Sequence, residues 1–416
     1  MTAPLHVLIA GAGIAGLCSA LALLQRGVDV TVFEQAGALR ELGAGVQLSP
    51  NGTRVLLALG LGPAMAAVAC VAAAKEVRLG STGQRWPLFN LGEDALARFG
   101  APYWLVHRGD FHQVLLAAVL ALKPDSLRLG QRALRFEQDE HAITLITEDG
   151  QRIAGDALLA ADGVHSALRQ AAFGAGPAEF TGLMAWRGVV PCQALPEALS
   201  APIGANWVGP GGHVITYPLR RGELLNFVGI TLRDDWRAES WADVGSHADC
   251  HRDFAGWHAD IHRLIDAVQT PYQWALLSRP ALPAWAHGRF CVIGDAAHPT
   301  LPMLAQGANL GLEDALLVAR CLTEPAGRHG VAPALQRFEA LQRPRATRIV
   351  SGSADNARRF HNPVLADPLA AAAYIAREWA PVKVRQRYDW LFEHDVTRLA
   401  LHDASPHAPG APTHAA

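Results

Sequence analysis

The sequence predicts an α/β protein. A largely parallel sheet with packed helices is interrupted by a mixed-sheet domain and followed by C-terminal helices. Three observations predict it. A strand, a tight glycine turn, a helix and a second strand open the chain within residues 5–35. Between about 176 and 275 the texture shifts to extended runs in which Trp and Arg are frequent. At 289–295, RFCVIGD, the buried-strand texture of the opening returns, so the first domain is expected to be discontinuous.

The opening unit is LHVLIA, then GAGIAG, then an amphipathic run with Leu17, Leu21 and Leu24 on one face, then VDVTVFEQ. PNGTRVLLALGL predicts a helix opening at Pro50, and RGDFHQVLLAAVLAL a second over 108–122. Residues 126–163 read as short strands with an Asp149-Gly150 hairpin turn. MAWRGVVP, GGHVITYPLR and LLNFVGITL read as strands, followed by a helical stretch near 247–268. The expected division is 1–175 with 276–345, 176–275 for the mixed sheet, 346–402 for a helical region and 403–416 for a disordered tail.

Half of the residues are hydrophobic and 18% are charged, so a large core is expected and extensive disorder is not. A net charge of -2 supplies no basic field for nucleic acid. The six cysteines are scattered without a Cys-x-x-Cys, which predicts buried thiols in a reducing cytosol. MTAPLHVLI lacks the features of a signal peptide, and the apolar stretch 55–74 is broken by Gly60, Gly62 and Pro63. A cytoplasmic protein without a membrane span, monomeric or homodimeric, is the expectation.

Gly11-Ala12-Gly13-Ile14-Ala15-Gly16 has the spacing of a dinucleotide site. Gly11 permits the turn, Gly13 lets backbone approach a pyrophosphate, and Gly16 lets helix and strand pack closely. Glu34, with Gln35 after it, ends the next strand where a carboxylate can bind ribose hydroxyls. The motif alone does not separate NAD from FAD. No second such glycine pattern and no redox Cys pair is found, which argues against a two-dinucleotide disulfide reductase.

Other motifs make that choice by resemblance. LLAADGVHSALR, with Asp162, Gly163, Ser166 and Arg169, resembles the Asp-Gly motif of the group A flavoprotein monooxygenases. FCVIGDAAHP, followed by Ala305-Gln306-Gly307-Ala308-Asn309 and Glu313-Asp314, resembles that family's second FAD fingerprint. LVHRGDFHQVLL resembles its segment in which an arginine, here Arg108, reaches the FAD pyrophosphate. The resemblance implies a Rossmann-like FAD-binding domain of the para-hydroxybenzoate hydroxylase type. It also implies Asp295 on the FAD ribose, and the backbone of Gly307 to Asn309 at the flavin pyrimidine edge with Pro302 nearby. GAGVQLSPN would place Val46 and Gln47 beside the ring. Asp295 and His298 lack the further ligands of a metal site, so no metal is expected and His298 reads as scaffold. Glu313 and Asp314 read as acids opening the helix LEDALLVARCL.

The activity implied is monooxygenation. FAD, reduced by a transient NADH or NADPH, reacts with O₂ to give a C4a-hydroperoxide that hydroxylates a phenolic or hydroxy-N-heteroaromatic ring, often an aromatic acid. GGHVITYPLR places His213, Ile215 and Tyr217 on one strand face. Its H-x-x-x-Y-P pattern resembles that of salicylate, 3-hydroxybenzoate and 6-hydroxynicotinate hydroxylases. His213 is therefore expected as base or proton relay and Tyr217 as orienting donor, against a packing role for both. Thr300-Leu301-Pro302-Met303-Leu304 departs from the Gln or His that such relatives carry there. That apolar loop keeps an epoxidase or tailoring monooxygenase on a larger apolar substrate as the alternative, with a flavin-binding protein devoid of activity behind it. The ending YDWLFEHDV also resembles this subgroup.

Overall fold

The computed structural model describes residues 5–39, 44–174, 176, 178–196, 199, 201–233, 243–324 and 330–401. The expected tail at 403–416 lies outside them.

The first sheet has β1 (His6–Ala10) at its centre, with β2 (Asp29–Glu34) on one side and Ala157–Ala160 on the other. All three run parallel, as does Phe290–Val292 beyond them. Val7, Leu8, Ile9 and Ala10 are fully buried, as a strand covered on both faces requires. Phe290–Val292, from the RFCVIGD stretch, pairs with Leu158–Ala160 in this sheet. The helix α1 (Ile14–Leu24) begins directly after the glycine turn.

The second sheet has eight strands and is mixed. Its centre is Glu179–Pro191, Leu224–Leu232, Gly212–Leu219 and Ile203–Gly209, joined antiparallel. It also takes in Ala74–Leu79 and Arg85–Asn90, from the segment expected to belong wholly to the first domain. Alternating short strands do not announce their sheet, and the parallel pairing of Ile203 with Ala74 spans a long stretch of chain.

Pro50–Ala58 opens on proline and Arg108–Leu122 matches its predicted bounds. The stretch near 247–268 is two helices, His247–Asp253 and Ala259–Ala267. The helix expected from Leu312 starts earlier, at Gly307, and runs to Thr323. Glu313 and Asp314 are therefore interior to it, and both are fully buried. The long helix Val331–Phe360 packs across it. Among the described residues, no helix is long and apolar enough to cross a membrane.

Candidate flavin and substrate site

The glycine turn is built for close approach. Gly11 has φ +100°, and a Cβ there would collide with the Ala161 carbonyl; a Cβ on Gly16 would collide with the Gly11 carbonyl. Glu34 ties this turn down. Its Oε2 accepts from Ala12 N at 2.9 Å and its Oε1 from Ala36 N at 2.9 Å. Gly11, Gly13, Glu34, Gln35, Asp162 and Gly163 line a cavity of about 200 Å³. Within it the Asp162 Oδ1 is buried and has no hydrogen-bond partner among the described residues, and burial raises that carboxyl above the usual range. Ser166 explains the rest of that motif, since its Oγ caps the next helix by accepting from Arg169 N at 2.9 Å.

A larger cavity of about 380 Å³ shares Gly13 with the first. Ala15, Val46, Gln47, Arg108, Asp295, Pro302, Gly307 and Ala308 line it. Burial pushes the Asp295 carboxyl up, with His298 and Arg108 opposing that shift. Gly16 and Asn309 line neither cavity. Asn309 instead fixes the wall: its Oδ1 accepts from Ser49 N at 3.0 Å, and its Nδ2 donates to Gln47 O at 3.1 Å and Ala305 O at 2.7 Å.

The second sheet supplies more of this lining. Its register places Arg187 opposite Val228 and Val228 opposite Ile215, a row of three across adjacent strands. All three line the cavity, as do Tyr217 and Trp274. The Arg187 guanidinium lies over the Trp274 ring, 5.3 Å from its centroid. Burial raises the Tyr217 hydroxyl above its ordinary range, with Arg187 opposing. Arg187, Val228 and Trp274 were not singled out from sequence. The only signal was the Trp- and Arg-rich texture, and a cross-strand row exists only once register is known.

Tyr217 reaches the cavity, and His213 does not line it. His213 is fully buried, farther along the same strand face. Its Nδ1 lies 2.6 Å from His361 Nε2, and its ring packs against Phe360. The strand runs past the cavity edge, under the C-terminal end of the helix Val331–Phe360. Burial lowers both imidazoles, His361 to about 4.

Behind the 305–309 turn, the Glu313-Asp314 pair is a hub. Asp314 accepts from Gly294 N at 2.8 Å and meets His298 Nε2 at 2.6 Å. Burial works against a charged His298, but Asp314 outweighs it and raises the imidazole above its usual range. Glu313 pairs with Arg345 at 2.7 Å and accepts from Asn51 Nδ2 at 2.6 Å. Arg345 offsets the burial of Glu313 and lowers it. Gln342 reaches both acids. None of residues 388–396 lines the cavity. Tyr388 and Phe392 pack against Phe89, while Arg54 donates to the carbonyls of Phe392 and His394.

These residues fit a flavin dinucleotide. Asp162, whose buried Oδ1 has no hydrogen-bond partner among the described residues, lines one cavity, the glycine turn at the start of α1 contributes to both, and the small residues Gly307 and Ala308 line the other. The model of the FAD binding domain family matches residues 4–353. The chain belongs to the FAD-binding domain family. A 3-amino-4-hydroxybenzoate 2-monooxygenase of Streptomyces platensis is 37% identical over 86% of this chain and 89% of that protein. A 3-hydroxybenzoate 6-hydroxylase of Polaromonas naphthalenivorans is 36% identical, over 86% and 89%. Klebsiella pneumoniae HpxO, solved with FAD and uric acid, superimposes with a TM-score of 0.80 at 27% identity, over 94% and 97%. FAD is the cofactor of this chain, with NADH or NADPH as electron donor, and the chain is a flavin-dependent aromatic monooxygenase.

Proposed function

We propose that this monooxygenase hydroxylates a phenolic or hydroxy-N-heteroaromatic acid held between the 305–308 turn and the row Arg187–Val228–Ile215. The observation that carries the proposal is that Arg187, Trp274 and Tyr217 line the same cavity as Ala15, Asp295 and Gly307. Arg187 supplies a cation for a carboxylate, Ile215 and Val228 an apolar bed for a ring, and Tyr217 a hydroxyl for the ring substituent. The guanidinium is what makes an acid a better fit than a larger neutral apolar substrate.

Bound FAD supplies the redox chemistry, in which electrons from NADH or NADPH reduce O₂, one atom entering the ring and the other leaving as water. The chain's own residues position and protect. Burial keeps Tyr217 protonated at neutral pH, so it donates to a ring oxygen and orients it. Ile215, Val228 and Trp274 exclude water from the reacting face. His213 remains the proposed proton relay, acting from beyond the cavity edge as a neutral imidazole whose Nε2 has no hydrogen-bond partner among the described residues.

The test is a screen of NAD(P)H oxidation, with oxygen and peroxide readout. It covers salicylate, 3- and 4-hydroxybenzoate, 3-amino-4-hydroxybenzoate, hydroxynicotinates and quinolones. At least one acid is expected to give a product heavier by one oxygen, coupled to cofactor oxidation. Peroxide alone with every aromatic would overturn the substrate reading.

A further inference from the structure

Lys75 is a buried cation that the reaction described above does not use. It lies on Ala74–Leu79, at a register shift between Lys75 and Glu76, and its stem runs along the backbone of Gly204 on the neighbouring strand. Such irregularities re-aim side chains. No carboxylate partner for it is found among the described residues. Its Nζ donates to Gln47 Oε1 at 3.0 Å and sits over the Tyr103 ring, 6.0 Å from the centroid. Tyr103 OH donates to the same Oε1 at 2.8 Å.

Two donors on one amide oxygen settle which way the amide faces. An ammonium has donors only, so a flipped Gln47 would set its NH₂ against Lys75 and leave that buried ammonium without its acceptor, whereas the Tyr103 hydroxyl could accept in either orientation. The Nε2 must point away from them. Gln47 lines the larger cavity, and among the described residues no acceptor for its Nε2 is found. Its backbone is held as well, through Asn309. A donor polarised by a buried ammonium behind it suits an acceptor that carries negative charge.

We propose that Lys75 and Tyr103 are positioning residues that lock Gln47 so that its Nε2–H donates into the cavity to a negatively charged oxygen. That oxygen belongs either to the reduced flavin or to an anionic aromatic substrate. The substrate arm rests on the aromatic-acid reading above, and the flavin arm does not.

The holoenzyme is compared with Lys75→Met, Tyr103→Phe, Gln47→Leu and the Lys75→Met/Gln47→Leu double variant. One readout is the midpoint potential of bound FAD without substrate. The other is the ratio of dissociation constants for 3-hydroxybenzoate and uncharged 3-hydroxybenzamide, read from flavin absorbance. Gln47→Leu should shift one readout about tenfold against negative charge, about 30 mV lower for the two-electron couple. Lys75→Met should shift the same readout in the same direction, Tyr103→Phe less so, and the double variant no further than Gln47→Leu. A shift in the potential assigns the acceptor to the flavin, and a shift in the ratio assigns it to the substrate. Gln47→Leu leaving both readouts unmoved, or full additivity in the double variant, overturns the proposal. Should Lys75→Met fail to fold, Tyr103→Phe decides: no shift there overturns it too. Failure of the substrate screen with an intact shift in potential removes only the aromatic-acid reading.

Discussion

The Tyr217 ring lies directly on the backbone of Gly45, where an added Cβ would fall 2.7 Å from the tyrosine hydroxyl and nearer still to the ring edge. Gly45 N in turn donates to Asn226 Oδ1 at 2.7 Å. This contact joins the eight-stranded sheet to β3 (Gly45–Leu48), the strand that carries Val46 and Gln47.

Gly45→Ala should displace Tyr217 while leaving the glycine turn intact. The expected cost is about 1–3 kcal/mol of stability from overpacking. Aromatic ligand affinity should fall roughly tenfold or more, the cost of a misplaced hydrogen bond. Thermal melting and ligand titration of the yellow holoenzyme measure both. Unchanged ligand affinity would show that Tyr217 does not orient the ring.

Asp314→Asn removes the counter-charge of buried His298. The folded His298 titrates above its usual value because Asp314 outweighs burial. Its contribution is therefore fully present below the unfolded pKa of about 6.5 and lost as pH rises through the folded value. The loss should be about 3–5 kcal/mol near pH 6 and smaller near pH 9. Urea denaturation at the two pH values checks it. An equal loss at both would mean the pair's charge does not stabilise the fold.

Lys75→Met should raise stability at neutral pH. Burial lowers Lys75 from 10.5 to about 8, with Tyr103 the titratable group facing it. That displacement corresponds to a cost of about 3 kcal/mol, less about 1 kcal/mol for each hydrogen bond lost. Between about 8 and 10.5 the unfolded chain binds more protons than the folded one, so wild-type stability rises with pH there. The gap between variant and wild type should close across that window. Denaturant melts from neutral pH upward follow it, and a constant gap would contradict the sign.

His213→Ala should slow coupled product formation by about 10²-fold, the size of a lost proton-transfer contribution, with FAD still bound. The same change opens a cavity beside Phe360 and His361, so a modest fall in melting temperature is expected. Product formed per NAD(P)H consumed is the measurement. An unchanged coupled rate would leave His213 a packing residue that joins the sheet to the C-terminal helices.

The opening βαβ unit was legible because its signals are local. A glycine that must take positive φ, an apolar strand on each side and a carboxylate ending the second strand all lie within one short stretch. Asp162, Asp295 and Gly307, each expected from a contiguous motif, line the two cavities. Glu313 and Asp314 were not legible in this way. Two acids before an apolar helical run look like a helix start, and only the packing of Val331–Phe360 brings Arg345 and Gln342 onto them.

By itself the sequence determined the dinucleotide turn, the return of the chain to its first sheet and the face shared by His213, Ile215 and Tyr217. Tertiary structure decided how far along that face the cavity extends, which places Tyr217 in its wall and His213 under His361. It also decided that Arg187, Val228 and Ile215 form one row and that Lys75 lies behind Gln47. The reason is physical: strand register and buried side-chain pairings join residues far apart in the chain, so no local pattern encodes them.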